Sequence, residues 1–365
     1  MKILLLGGTG TLSTAVCLYA LSKDNNVFVF NRGNNNGKLP KGVHFFIGSF
    51  YNEKDLQKCI TENFYDVVID FLSRVPSDIA RVYPIFRDHC KQFLFISSAC
   101  VYRREPEDFP ISENSPKPNN SWDYNVEKYE CENTLKSLSK DSSSFYTIVR
   151  PYITYSDERI PLGIAPSIRY HKTIIERFKS GKPWFTWDNG RALTTVTYVD
   201  EFAKGVVGLF LNERAINEDF HITGDFSYTQ NELIRITKFA TDSNSIVVNI
   251  PSKTIGNILP EYNSMLMGDR ALDATFCNKK IKEAVNGLSF NVTYEEGIQK
   301  IIKYWNKQKP LYDYKFEARI DRMLAKVGVK TKFVMYPGAE RKSRLIYFIF
   351  RYFPIIIANK LVRWI

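Results

Sequence analysis

Six short apolar segments recur through the first 150 residues, and they constrain the fold more than any other feature. They lie at residues 2–6, 27–31, 43–47, 67–71, 93–97 and 146–150. Segments with helical periodicity separate most of them. Continuous apolar runs of this length are typical of parallel strands that are buried on both faces. Because crossovers between parallel strands are right-handed, the pattern predicts an α/β fold with a doubly wound parallel sheet.

A glycine-containing turn follows the first of these segments. In "LLLGGTGTLS", Gly7 and Gly10 stand between the first strand and a helix that we expect to begin near Thr11. Gly7 permits a tight turn, Gly10 lets the backbone approach a pyrophosphate, and the helix N-terminus offers unpaired N–H groups. We therefore predict a dinucleotide site that includes Gly7, Gly10, Thr11 and Leu12.

A cation follows the second strand, where such sites commonly hold the adenosine ribose with a carboxylate. The strand ends in "FNRG", which places Asn31 and Arg32 at this position. Neither side chain accepts the 2′-hydroxyl proton as a carboxylate does, but Arg32 can pair with a 2′-phosphate. Both residues are predicted to contact the cofactor, and NADP is favoured over NAD.

Two later motifs carry reactive side chains. "FISSACVY" ends the fifth strand, and "WDYNVEKYE" follows about twenty residues later. Tyr124 and Lys128 are four residues apart, so both project from one face of a helix. The ammonium of Lys128 and a positively charged nicotinamide would both lower the pKa of the Tyr124 phenol, which suits it to acid–base chemistry. A serine at the end of the strand can hydrogen-bond the reacting oxygen of the substrate.

These motifs resemble the extended short-chain dehydrogenase/reductase superfamily, and within it the NAD-dependent epimerase/dehydratases. The resemblance covers about residues 1–305 and continues through "TIVRPYITYS" and "VTYVDEFAKGVVGLFLN". It implies a Rossmann-type fold and an NAD(P) cofactor. The family's catalytic serine precedes two residues and a Val-Tyr pair, which maps onto Ser98. The further cofactor contacts that the resemblance implies are Phe71, Ser97, Tyr124, Lys128 and Pro151.

The part of the resemblance that concerns the substrate is less complete. Ser49 stands where the family commonly has an acid after its third strand. Leu193 stands where UDP-sugar enzymes commonly carry an arginine, with Arg191 two positions away, and a second arginine expected before "GD" is missing, with Arg270 nearby. We expect a sugar substrate linked to a nucleotide, contacted by Tyr152, Arg191 and Arg270.

The resemblance implies a shared opening step, in which Tyr124 takes a hydroxyl proton while hydride passes from carbon to the nicotinamide. Dehydratases of the family carry Asp-Glu after the catalytic residue. Ala99 and Cys100 stand there in this chain, which excludes dehydration. A 4-epimerase needs no further acid or base. A sugar-nucleotide epimerase that oxidises a hydroxyl to a ketone and reduces it again is therefore the predicted function.

Other functions remain open at this point. The run from Ser98 to Cys100 also resembles the Ser-x-Cys of 3,5-epimerases, where Cys100 would remove a proton beside the ketone and His171 or Lys172 would be the second acid. A small buried cysteine in a structural role is the more common case. Arg32 favours an NADPH-dependent keto-sugar reductase. Some chloroplast proteins with a similar "GGTGT" loop bind RNA, although this chain retains the catalytic residues.

The pattern of strands and helices becomes less regular after Arg150 and indicates a division of the chain. We expect residues 1–156 to form the NAD(P)-binding Rossmann domain, rejoined by about residues 188–225, where "DFHITG" returns a strand to the sheet. Residues 157–187 and 226–305 would form a smaller mixed α/β substrate-binding lobe. Residues 306–365 would form a basic amphipathic C-terminal extension.

The positive charge of the chain lies mostly in this extension. Residues 315–365 hold twelve Lys/Arg against three Asp/Glu, which accounts for +9 of the net charge of +11. The charge therefore does not indicate nucleic acid as a partner. Cations interrupt the apolar run too often for a spanning helix. We expect residues 341–365 either to contact a membrane surface, which would allow a lipid-linked sugar, or to dock on the protein or on a second subunit; a homodimer is expected.

The cysteines and histidines give neither a disulfide framework nor a zinc site. The six cysteines contain no C-x-x-C pair, and the four histidines lie far apart. One basic residue precedes the first apolar run, and a glycine turn rather than a cleavage site follows it, so no signal peptide is expected. We therefore expect no bound metal and a cytoplasmic location, with peripheral attachment to the inner face of the membrane if the extension binds lipid.

Overall fold

The structure is a computed structural model that describes residues 1–164, 170–309 and 311–364. Residues 165–169, in the predicted substrate lobe, and residues 310 and 365, in the predicted extension, lie outside the described residues. The strands are β1 (Lys2–Leu6), β2 (Asn26–Asn31), β3 (His44–Ile47), β4 (Tyr65–Asp70), β5 (Cys90–Ile96), β6 (Phe145–Pro151), β7 (Thr154–Tyr155), β8 (Trp184–Trp187), β9 (Leu193–Thr195), β10 (Thr197–Tyr198), β11 (Glu218–Ile222), β12 (Ser227–Thr229) and β13 (Val247–Ile250). The helices are α1 (Thr11–Leu21), α2 (Glu53–Gln57), α3 (Pro76–Phe86), α4 (Asp123–Leu138), α5 (Tyr170–Lys179), α6 (Val199–Gly208), α7 (Gln230–Ala240), α8 (Ser252–Ile258), α9 (Asn263–Met265), α10 (Lys279–Ala284), α11 (Tyr294–Lys307), α12 (Tyr314–Lys326), α13 (Lys342–Tyr352) and α14 (Ile355–Leu361).

A parallel sheet in the order β11-β6-β5-β4-β1-β2-β3 forms the centre of the molecule's N-terminal part. Every neighbouring pair runs parallel. The strand order reverses between β1 and β4, and ligands of such sheets bind at the carboxyl ends of the strands beside that point. The prediction of a Rossmann-type doubly wound sheet is confirmed, and so is the return of "DFHITG" as β11 beside β6.

Strand β1 shows why helices cover both faces of this sheet. Ile3 and Leu5 pack into one hydrophobic core with residues of α1 and α6. Leu4 and Leu6 pack into a second core with residues of α3 and α4. Successive side chains of a strand point to opposite faces, so the four buried residues that follow Lys2 need an apolar layer on each side.

The carboxyl ends of three strands differ from the predicted ends, and each difference concerns a site residue. Strand β6 ends at Pro151, one residue later than predicted. Strand β5 begins at Cys90 rather than at residue 93, because Cys90 pairs in register with Tyr65 of β4. It ends at residue 96, and β4 ends at residue 70, one residue earlier than predicted in each case. Ser97 and Phe71 therefore lie just beyond the strands, in the turns at their carboxyl ends.

The chain divides into two compact units. The first consists of Met1–Tyr155, Thr195–Ser227 and Ala274–Val292 and contains the central sheet. The second consists of the described residues of Ser156–Thr194, Tyr228–Asp273 and Thr293–Ile365, and it contains the parallel pair β8 and β13. The C-terminal helices α12, α13 and α14 belong to this second unit. Among the described residues, no helix is long and apolar enough to cross a membrane.

Candidate active site

The turn after β1 has a backbone that requires glycine at two positions. Gly7 has a φ of +115° and Gly8 a φ of +109°, both in the region that side chains disfavour. A Cβ on Gly8 would lie 2.5 Å from Cγ1 of Val29. Gly8 is a site residue that the sequence analysis did not select, although the Gly-Gly pair was visible in the sequence.

The third glycine of the turn has a different environment. Gly10 has a φ of −87°, and the nearest atom to a Cβ built on it is Oγ of Ser13 at 3.5 Å. Helix α1 starts directly after it, with no side-chain acceptor at its cap and no acid in its first turn. The first turn of a helix lacks internal partners for its N–H groups, so the backbone of Thr11 and Leu12 presents donors and a positive dipole end to a phosphate.

The end of β2 presents a cation and no carboxylate. The Asn31 amide is used within the loop: its Nδ2 donates to Oδ1 of Asn36 at 2.7 Å, and its Oδ1 accepts from the N–H of Gly33 at 2.6 Å. Arg32 is exposed and forms no ion pair with any described residue. Its guanidinium is therefore available to an anionic group bound beside the end of this strand.

A short turn after β5 holds the two serines and the cysteine of "SSAC". The Ser97 hydroxyl donates to Oε1 of Glu132 at 2.6 Å, so its hydrogen is committed to the protein. The Ser98 hydroxyl oxygen accepts the N–H of Cys100 at 3.2 Å, which keeps its own hydrogen available to another acceptor. The Cys100 side chain is buried in an apolar cluster with Tyr102 and Tyr152.

Helix α4 carries Tyr124 and Lys128 one turn apart, as the sequence predicts. Tyr124 packs against the apolar cluster that contains Cys100, and its ring lies 4.7 Å from the ring of Trp122. The ammonium of Lys128 is buried, and it donates to the carbonyl oxygens of Ser73 at 2.7 Å and Ile96 at 3.1 Å. An ammonium has three N–H donors, so these bonds leave one for a further acceptor.

Asp70, the last residue of β4, organises the turn that holds Lys128. Its buried carboxylate accepts from the N–H groups of Leu72 at 2.8 Å and Ser73 at 3.0 Å, and from the Ser73 hydroxyl at 2.5 Å. Burial lowers the pKa of Lys128 from its ordinary value, and the nearby carboxylate of Asp70 opposes that shift. Asp70 was not selected from the sequence, because its connection to Lys128 runs through a contact between distant segments.

A buried ionic network lies beneath the turn after β5 that contains Ser97 and Ser98. Arg150 of β6 donates to both carboxylate oxygens of Glu132 on α4, at 2.8 and 2.6 Å, and to Asp219 of β11 at 2.7 Å. It also donates to the Tyr102 hydroxyl at 2.7 Å. Because Glu132 accepts the Ser97 hydroxyl as well, the network joins α4, β6 and β11 to the turn that ends in Ser98.

The first unit brings most of the predicted site residues to one edge of the sheet. The ends of its strands carry Gly7, Gly10, Thr11, Leu12, Asn31, Arg32, Phe71, Ser97, Ser98, Cys100, Pro151 and Tyr152, and α4 carries Tyr124 and Lys128. The second unit holds the remaining four predicted residues, His171, Lys172, Arg191 and Arg270. Arg191 is exposed, Arg270 forms an ion pair with Asp269, and the Lys172 ammonium donates to the carbonyl of Trp305 at 2.7 Å.

His171 is buried in the second unit. Burial lowers its pKa to about 3, so the imidazole is neutral near pH 7. A neutral imidazole has no acidic proton of the kind that the predicted second acid requires.

Comparison with known proteins identifies the family. The sequence model of the NAD dependent epimerase/dehydratase family matches residues 3–223. The chain belongs to this family. A curated relative, the bifunctional UDP-glucose 4-epimerase and UDP-xylose 4-epimerase 1 of Pisum sativum, is 27% identical over an alignment of 142 residues. The alignment covers 31% of this chain and 40% of that protein. The match thus spans well under half of the relative's length.

Solved structures of epimerases and dehydratases share the fold. The UDP-glucose 4-epimerase of Thermotoga maritima, solved with UDP-glucose, has a TM-score of 0.67 and 20% identity and covers 84% of this chain and 99% of its own. The UDP-glucose 4-epimerase of Thermus thermophilus, solved with NAD, has the same TM-score and coverage with 16% identity. The dTDP-glucose 4,6-dehydratase of Bacillus anthracis, solved with NAD, has a TM-score of 0.68 and 15% identity and covers 86% and 98% of the two chains.

The residues of this NAD dependent epimerase/dehydratase family member fit a nicotinamide dinucleotide. The space beside Gly10 and the first turn of α1 suit its pyrophosphate. The remaining N–H of Lys128 suits a ribose hydroxyl. These features belong to one unit and to one edge of the sheet.

Proposed function

We propose that this protein is a sugar-nucleotide epimerase that oxidises a sugar hydroxyl to a ketone and reduces the ketone again. The observation that carries the proposal is the Lys128 ammonium, which two carbonyls hold in place with one N–H to spare, one helical turn after Tyr124. The names of the curated relative and of the neighbouring structures support the substrate class.

In this proposal Tyr124 accepts the proton of the substrate hydroxyl and later returns it. Ser98 donates its hydroxyl hydrogen to the same substrate oxygen, and Lys128 holds the cofactor ribose and favours the phenolate through its charge. When bound, the nicotinamide supplies the two-electron oxidation and its reversal. No further acid or base is needed, because inversion requires only that the ketone present its other face.

We propose NADP as the preferred cofactor, on the exposed guanidinium of Arg32 and the absence of a carboxylate at the end of β2. Arg32→Ala is expected to weaken NADPH binding about tenfold or more and to leave NADH binding unchanged, because it removes a charge-assisted hydrogen bond to the 2′-phosphate alone. Fluorescence titration measures both affinities without turnover. Lys41→Ala, a change of an exposed cation nearby, is the control. Equal effects of Arg32→Ala on both cofactors would contradict the preference.

The experiment that tests the reaction is incubation of the purified protein with a panel of sugar nucleotides in deuterium oxide. We expect inversion at one carbon with no deuterium in the sugar and no net loss of cofactor. Deuterium beside the reacting carbon would instead assign proton removal to Cys100, although this side chain is buried in an apolar cluster. Tight cofactor binding without turnover of any panel member would contradict the sugar-nucleotide substrate.

A keto-sugar reductase is the second candidate, and Arg32 favours it because NADPH commonly serves net reduction. Stoichiometric loss of NADPH absorbance in the same panel would establish it in place of epimerisation. A homodimer remains a prediction, which light scattering of the purified protein tests. A cytoplasmic location also remains a prediction, consistent with six cysteines that all carry free thiols.

A further inference from the structure

Large apolar side chains are exposed together at the end of the second unit. They lie on α13, on α14 and in the turn between them: Leu345, Tyr352, Phe353, Ile355, Ile356, Ile357 and Leu361. Ile356 is 71% exposed and Tyr352 is 68% exposed. We name this set of residues the C-terminal apolar edge. A contiguous display of this kind marks an interaction surface.

The opposite side of the same segment is docked on the protein. Tyr347 is buried, and its hydroxyl donates to the carboxylate of Asp321 on α12 at 2.7 Å. Ala358 of α14 is also buried, and Lys315 of α12 donates to Oδ1 of Asn359 at 3.0 Å. The edge is therefore the outer face of a segment whose inner face is already packed and hydrogen-bonded.

Within residues 341–363 the charges have a single sign, and Glu340, just before them, pairs with Lys342 at 3.0 Å. Residues 341–363 contain six Lys/Arg and no Asp/Glu. Lys342 and Arg344 are exposed on α13 and Lys360 is exposed on α14. Arg341, just before α13, and Arg363, just after α14, are exposed as well. Apolar side chains interleaved with cations are the composition of a segment that lies in the interface of an anionic bilayer.

A second copy of the chain is a poorer occupant than a lipid surface. In a two-fold symmetric contact the same patch faces itself, so these cations would meet the same cations of the partner. Like charges brought together in this way oppose association. An anionic headgroup layer complements the cations and accepts the aliphatic side chains between them.

We propose that the C-terminal apolar edge rests on an anionic membrane surface, with Ile356 and its neighbours at the level of the headgroups and acyl chains. The helices lie along the surface, since α13 and α14 have 11 and 7 residues and neither can span a bilayer. The attachment does not depend on the identity of the sugar substrate.

Sedimentation of the full-length protein with vesicles tests the proposal. The probes are vesicles of phosphatidylcholine alone and vesicles that also contain about 30% phosphatidylserine. We expect pelleting only with the anionic vesicles, and a loss of pelleting at high salt because salt screens the charges. Ile356→Glu is expected to weaken binding at least about tenfold. The triple change Arg341→Gln, Lys342→Gln and Arg344→Gln should weaken it about fivefold per cation removed.

The matched control is Phe239→Glu, which removes a side chain that is 87% exposed on α7, outside the edge. It should pellet like the unaltered protein. Equal pelleting of Ile356→Glu and Phe239→Glu, or no pelleting of the unaltered protein, would overturn the proposal. So would a halved molar mass of Ile356→Glu in light scattering, because the edge would then be a contact between subunits.

Discussion

Each unit of the molecule contains a buried ionic network, and the two networks hold different kinds of structure in place. In the first unit Arg150 joins Glu132 and Asp219 beneath the turn that ends in Ser98. In the second unit Arg177 pairs with Glu317 at 2.9 Å and with Asp321 at 2.7 Å on α12. A buried pair needs good geometry to offset the loss of hydration. Arg150 donates to both oxygens of Glu132, and Arg177 donates to Asp321, whereas Nη1 of Arg177 lies close to Glu317 without a hydrogen bond.

The surroundings of the networks differ. The first lies within the part that matches the family, residues 3–223, and touches Ser97 beside the candidate catalytic serine. The second takes its acids from outside that part, and Asp321 accepts the hydroxyl of Tyr347 in the C-terminal segment at 2.7 Å. The comparison indicates that the same chemistry supports the turn with the candidate catalytic serine in one unit and the attachment of the C-terminal segment in the other.

The largest expected difference is between removing a tyrosine hydroxyl from the candidate active site and removing one from the C-terminal segment. Tyr124→Phe is expected to lower kcat by about a thousandfold or more, because it removes the proton acceptor, while NADPH still binds. Tyr347→Phe should leave kcat unchanged and lower the stability of the second unit. Turnover in the panel assay and thermal unfolding measure the two effects. Substantial activity of Tyr124→Phe would contradict the assigned acid–base role.

Removing one buried charge from each network should destabilise both units. Glu132→Gln and Asp321→Asn each remove one of the two carboxylates that face a buried arginine, which keeps Asp219 or Glu317 respectively. The expected cost in the free energy of unfolding is about 3 kcal/mol, the lower end of the range for a broken buried pair. Only Glu132→Gln should also lower kcat in the folded enzyme, by about tenfold. Glu340→Gln, at an exposed pair with Lys342, should cost less than about 1 kcal/mol. Asp321→Asn no more costly than Glu340→Gln would refute the structural role of the second network.

Each unit also contains a buried histidine, which predicts a loss of stability in acid. Burial lowers the pKa of His221 to about 4, from an ordinary value of 6.5, and that of His171 to about 3. At a pH between the lowered pKa and 6.5, each histidine binds a proton in the unfolded chain but not in the folded chain. The free energy of unfolding therefore falls as the pH drops below 6.5.

The expected loss from each histidine is about 2 kcal/mol between pH 7 and pH 5. Urea unfolding of His221→Gln and of His171→Gln at both pH values measures it, and each variant should show a smaller difference between the two pH values than the unaltered protein. Unchanged pH dependence in both variants would show that these histidines are not the source.

The smallest expected effect concerns the support of Lys128. Asp70→Asn should lower kcat about tenfold and raise KM for the cofactor, because the turn that presents the Ser73 carbonyl to Lys128 loses a carboxylate acceptor. Asp66→Asn, at the start of the same strand and paired with Lys91, is the control and should change neither constant. A purely structural role of Asp70 would lower stability without this change in KM, and that outcome would contradict the prediction.

Local sequence patterns were sufficient to predict the sheet, the glycine turn and the pairing of Tyr124 with Lys128. In each case the residues that interact are close in the chain, or repeat with the period of a strand or helix. Gly8, Asp70 and Glu132 were not found in this way. The side chain that excludes a Cβ on Gly8 is Val29, and the partners of Glu132 are Ser97 and Arg150, so their importance depends on contacts between separate elements.

The C-terminal segment is a second case in which the sequence pattern did not decide which side chains are exposed. Its composition predicted either docking on the protein or contact with a membrane, and both readings use the same apolar residues. The structure assigns Tyr347 and Ala358 to the docked face and Ile356 to the exposed one. Sequence alone determined the fold class, the glycine turn and the placement of Tyr124 and Lys128 one turn apart on a helix, because short-range periodicity and backbone conformation specify them. Only the tertiary structure decided which side chains form internal contacts and which remain exposed to a ligand or a partner. Burial and pairing depend on segments that meet only when the chain folds.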